Sequence, residues 1–117
     1  MNTLERLIID QIKEDSKSLQ SVVNRIYRES IAPTLVLVGK IQKAAEALQE
    51  SGKDWNKITK LGVATIKEKC ENIVKLIENL PDKDGSYGQD EYMPIFSEAL
   101  RITDFADALR DFGFNQK

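Results

Sequence analysis

A chain of 117 residues, 41% hydrophobic and 31% charged, is long enough to bury one hydrophobic core and too short to divide comfortably into two. That composition, with only three prolines and six glycines, separates the chain from disordered ones, and a formal net charge of −2 provides no overall field toward nucleic acid or an anionic membrane. The complete absence of histidine excludes Ser-His-Asp triads, Cys-His nucleophiles and histidine-ligated zinc.

From the N-terminus, Thr3 is placed to cap a helix whose apolar positions Leu4, Leu7, Ile8 and Ile12 recur at helical spacing. The polar stretch from Glu14 to Ser18 interrupts this stripe before Leu19, Val22, Val23, Ile26 and Tyr27 resume it. With no Gly or Pro to end it, the helix is expected to continue, at most lightly kinked. Pro33 predicts a kink or short turn. Beyond it, the TLVLV run is strand-like in composition, but Val38, Ile41, Ala44, Ala45 and Leu48 carry it on at helical spacing as far as Gly52. Asp54 can cap a third long helix with Ile58, Leu61, Ile66, Cys70, Ile73, Ile77 and Leu80 near one stripe, ending at Pro81. Residues 81–94 combine breakers and acids and predict one long acidic loop. A last helix carries Ile95, Ala99, Ile102, Ala106, Leu109 and Phe112, with Gly113 as its stop. No segment alternates with period two, so the expected fold is all-α: a single-domain bundle, residues 1–117, of four or five mostly antiparallel helices.

Charge is unevenly spread. Residues 1–80 hold 13 Lys and Arg against 11 Asp and Glu, whereas residues 81–117 hold 4 against 8. The single cysteine, Cys70, lies on an apolar stripe and forms no internal disulfide. Together with the lack of a long apolar run, this predicts a cytoplasmic protein that neither spans nor enters a membrane.

The stretch LPDKDGSYGQDE, residues 80–91, resembles a degenerate EF-hand loop. With Gly85 at the sharp turn, Asp82 takes the third position, Asp84 the fifth, Ser86 the seventh and Glu91 the twelfth. Leu80 then occupies the first position, where a carboxylate is required. Starting at Asp82 instead puts Tyr87 where glycine is needed and Met93 where the closing glutamate belongs. A solvated acidic connection without metal is therefore expected.

Two carboxylate pairs, Glu68 with Glu71 and Asp104 with Asp107, can each share a helix face. In this they are faintly similar to the helical nucleotide pyrophosphohydrolases, a likeness that would imply magnesium held between helices. The adjacent glutamates expected before the first pair are missing, and Asp104 stands where a glutamate belongs. Lys53, Lys57 and Lys60 form a short basic stripe beside Trp55, the pattern of a phosphate-contacting face with a stacking indole. No glycine-rich phosphate loop accompanies it.

Tyr87, Tyr92, Met93, Phe96, Phe105, Phe112 and Phe114 crowd the C-terminal region. Phe96 and Leu100 share a flank offset from the core stripe of the last helix, which Asp104 and Asp107 extend. The sequence thus predicts a non-enzymatic protein-binding module, a regulator, inhibitor or small subunit, needing no cofactor. Its expected contact surface comprises Tyr92, Phe96 and Leu100 as anchors and Asp104 and Asp107 as rim. A second copy of the chain is also an admissible partner. The alternatives are a nucleic-acid accessory protein using Lys53, Trp55, Lys57 and Lys60, and a magnesium-dependent pyrophosphohydrolase-like enzyme.

Overall fold

The computed structural model describes residues 1–113, apart from the side chains of the last two; Phe114 and the Phe112 side chain thus lie outside the description. Helix α1 (Thr3–Val23) is capped by Asn2 rather than by Thr3. Its side chain accepts from the Glu5 amide at 2.8 Å, and the Glu5 carboxylate accepts from the Asn2 amide at 2.8 Å, a reciprocal capping box. Glu5 is buried and also accepts from the Ser51 hydroxyl, which ties the start of α1 to the end of the next helix. The polar stretch does not break α1. Ser16 turns inward and shares a 2.7 Å hydrogen bond with Thr103, which also accepts from Gln20 at 2.7 Å.

A short 3₁₀ turn (Arg28–Ser30) leads into α2 (Ile31–Ser51). Pro33 is the third residue of α2, where its missing N–H would have no intrahelical partner, so of the expected kink or short turn it is the turn that occurs, just before it at residues 24–30, and not a kink at the proline. The strand-like run is helical, and Thr34, Val38, Ile41, Ala45 and Leu48 are buried. Helix α3 (Lys57–Glu78) is capped by Asn56, which accepts from the Thr59 amide at 2.9 Å; Asp54 does not cap it.

Helix α4 (Gln89–Gly113) begins five residues before Pro94, which shortens the expected 81–94 loop to about 79–88. The start is fixed by Glu91, whose carboxylate accepts from the Gly88 amide at 2.8 Å and, with Asp90, complements the helix N-terminus. Pro94 removes only one intrahelical bond, that to the carbonyl of exposed Asp90.

The four helices form an all-α bundle. Each packs on its neighbours in sequence and α4 closes against α1, giving an up-down-up-down arrangement about 51 × 19 × 19 Å in extent. Ile9, Ile12, Leu19, Ile41, Leu48, Ile66, Ile73, Ile95 and Ile102 fill the centre. Cys70 is buried among them, and burial first, then the nearby Glu71 charge, pushes its thiol pKa up to about 12. Five residues assigned to the apolar stripes by spacing are outside the core: Leu4 and Leu61 are each 65% exposed, Leu7 59% and Ile58 78%, and Tyr27, 46% exposed, lies beyond the end of α1. In α1 and α3 a parallel stripe containing Glu5, Ile9 and Ile12, or Thr59, Val63 and Ile66, takes the interior instead.

Candidate functional site

The acidic loop closes one end of the bundle. Gly85, at a φ of 87° that suits glycine, lets the chain fold back on the α1–α2 connection, where the Tyr87 amide donates to the Ile26 carbonyl at 3.0 Å. Arg28 pairs with Asp84 at 2.9 Å and with Asp82 at 3.5 Å. Lys83 pairs with Glu91 at 2.6 Å, and this hydrogen bond, with that from Gly88, holds the Glu91 carboxyl below its ordinary pKa. The would-be calcium ligands are thus turned to protein cations and an amide. Among the described residues, no group of three or more acidic, cysteine or histidine side chains is placed to hold a metal ion.

The opposite end carries an apolar groove between α3 and α4. Ile58, Leu61, Gly62 and Thr65 form one wall, and Phe105, Ala108 and Leu109 the other, around a space of about 360 Å³. Its depth comes from small residues at the crossing. A Cβ on Gly62 would stand 3.0 Å from Leu109 Cδ2, so the helices approach closely there, and Ala108 adds little bulk. Sequence spacing missed Ile58 and Leu61 as surface residues because two apolar registers compete on α3. The discriminating signal was Thr59, four residues before Val63 on the stripe that ends up buried.

The residues expected to bind a partner lie on the other flank of α4. Tyr92 and Phe96 are half-buried and pack on the core, which uses much of their apolar surface. Leu100 is 42% exposed and Asp104 is exposed, whereas Asp107 is paired with Lys13 of α1 at 2.7 Å. Of the basic stripe, Lys53, Trp55 and Lys60 line one depression of about 350 Å³ with Gln49, Gly52, Val63 and Ala64, while Lys57 is not part of its lining. Lys53 pairs with Glu50 at 2.9 Å, and a Cβ on Gly52 would fall within the Trp55 ring, so one face of the indole is already covered. The carboxylate pairs stay apart: Glu71 lines a depression with Gln42 of α2, whereas Asp107 faces α1.

No protein-family model, curated protein or solved structure matches the chain. Among the described residues, no helix is long and apolar enough to cross a membrane.

Proposed function

We propose that this chain is a non-enzymatic helical protein-binding module, a regulator, inhibitor or small subunit of a larger assembly, which receives an amphipathic helix of its partner in the α3–α4 groove. The exposure of Ile58 and Leu61 beside a filled core carries this reading. Burying a large aliphatic side chain is worth about 1.5–3 kcal/mol, a gain that these two residues do not realise in the isolated bundle. An apolar slot between antiparallel helices suits the helix-in-groove mode of recognition, in which a few apolar anchors dominate affinity. The Phe96 and Leu100 flank is the lesser surface because Phe96 is already packed. A cytoplasmic setting belongs to the same proposal, on the strength of the unpaired cysteine.

The test is fluorescence anisotropy with a synthetic helix bearing Leu at successive i, i+3, i+4 and i+7 positions. Leu61→Asp and Ile58→Asp should each weaken its binding by about tenfold or more while leaving the melting temperature nearly unchanged. Loss on Leu100→Asp with no loss on Leu61→Asp would move the site to the other flank. No binding by the wild-type chain would refute the groove.

A further inference from the structure

The depression at the seam of α2 and α3 is built differently from the groove. Trp55, Val63 and Ala64 supply its apolar lining and Lys53 and Lys60 its cations, and among the described residues no carboxylate lines it. The indole is held in place: the Trp55 amide donates to the Gly52 carbonyl at 3.0 Å, and the ring lies so close over Gly52 that a Cβ there would stand 2.2 Å from it. Lys53 is paired with Glu50, but both side chains are largely exposed, so that pair exchanges readily with another anion. Lys60 is exposed and pairs with no described residue. Asp54, in the same connection as Trp55, is exposed and does not line the depression. The first turn of α3 carries no acidic residue to offset the positive end of its dipole.

We propose that this depression binds a small aromatic anion, a carboxylate of one or two rings, with its ring against the Trp55 indole and its charge on Lys60 and, by displacement of Glu50, on Lys53. A space of about 350 Å³ falls near the small end of the range for ligand pockets, about 300–1,000 Å³, and suits one or two rings better than a larger cofactor. The same geometry weighs against a nucleic-acid strand, the use to which the spacing of Lys53, Lys57 and Lys60 points. Lys57 lies outside the lining, so the three lysines do not form one track along a backbone. The ring gains from packing on the indole whatever its charge, whereas the carboxylate gains from a charge-assisted contact, so selection over neutral and cationic analogues rests on Lys60.

The chain has a single tryptophan, so one indole N–H signal in a heteronuclear NMR spectrum reports on the site. Three probes that share one two-ring body are titrated at low ionic strength: naphthoate, naphthylmethanol and naphthylmethylamine. Naphthoate should shift the signal saturably and bind about fivefold tighter than the alcohol, with the amine weakest and the differences shrinking at high salt. Lys60→Ala should remove most of the advantage over the alcohol, while Lys75→Ala, on the same helix beside a different depression, should keep it. Both lysines are exposed, so the melting temperature should hold in each variant. Equal saturable binding of naphthoate and the alcohol, or a preference that survives Lys60→Ala, would overturn the anion selection. Shifts that never saturate would overturn the site itself. Tighter binding of a short oligothymidylate than of naphthoate, weakened by Lys57→Ala, would replace the small ligand with a strand.

Discussion

The two ends of the bundle dispose of their surface in opposite ways. At the loop end, Arg28 and Lys83 are paired with Asp82, Asp84 and Glu91, and the loop is stitched to the α1–α2 connection through Tyr87 and Gly85. At the other end the α3–α4 groove presents aliphatic side chains that no described residue covers. Exposed apolar residues also occur elsewhere, Val36 of α2 among them. The charged end, which most resembles a ligand site in sequence, is internally satisfied. The end that looks like ordinary core in sequence is the one left unsatisfied. A motif read from residue types alone takes no account of which groups the fold has already paired.

The largest effect expected separates floor from rim. Ile102→Ala in the closed centre should cost about 2–5 kcal/mol, whereas Leu61→Ala should remain within about 0.5 kcal/mol. Urea unfolding of both variants measures the difference. Comparable losses would mean that Leu61 supports the core and that the contrast between the two ends is false.

Much of the bundle was legible in the sequence because apolar spacing and breakers act locally. The stripe of α4 from Ile95 to Leu109 is buried as its spacing implies, and the TLVLV run is helical for the length-based reason. What failed depends on partners distant in sequence. Ser16 looked like part of a solvent-facing turn, and only Thr103, brought against it by the α1–α4 packing, makes it an interior residue. Ile58 and Leu61 differ from core residues only in the rotation of α3, which a short apolar pattern does not determine. Asn2 and Asn56 do not stand out as caps in the sequence because Thr3 and Asp54, close beside them, are residue types that also favour the cap position. For the candidate site, the sequence pointed to the Phe96 and Leu100 flank of α4, whereas the proposed groove uses the other flank, whose α3 wall the spacing assigned to the core.

A second measurement sharpens the contrast from within the core. The Cys70 thiol has an ordinary pKa of 9.0 and is raised to about 12 in the folded chain. Between these values the unfolded chain has lost the proton that the folded chain still holds, so the contribution of this group makes stability fall with rising pH. The slope should reach up to about 1.4 kcal/mol per pH unit within that window and vanish below it. Cys70→Ala should abolish this component, seen as a difference in urea midpoints between pH 9 and pH 10. Parallel pH dependence in the two proteins would show that Cys70 ionises in the folded state as readily as in the unfolded one.

The smallest effect is expected at the charged end, which should prove nearly inert to both mutation and metal. The Arg28 pairs with Asp82 and Asp84 are largely exposed, and ion pairs in water are worth about 0–1 kcal/mol, so Arg28→Ala should lower stability by no more than that. Calcium should leave the thermal midpoint where an equal concentration of magnesium leaves it. A true site present at a hundredfold excess over its dissociation constant would add about 2.7 kcal/mol, far above the error of a melt. Freeing the carboxylates should not create one: in the Arg28→Ala, Lys83→Ala double variant, Asp82, Asp84 and Glu91 lose their cations, yet Leu80 still offers no ligand at the first position and Glu91 still accepts from the Gly88 amide. A calcium-specific rise confined to the double variant would mean that the protein cations occupy a metal site. The same rise in the wild type would mean that the loop end is a binding surface and that the contrast between the two ends is wrong.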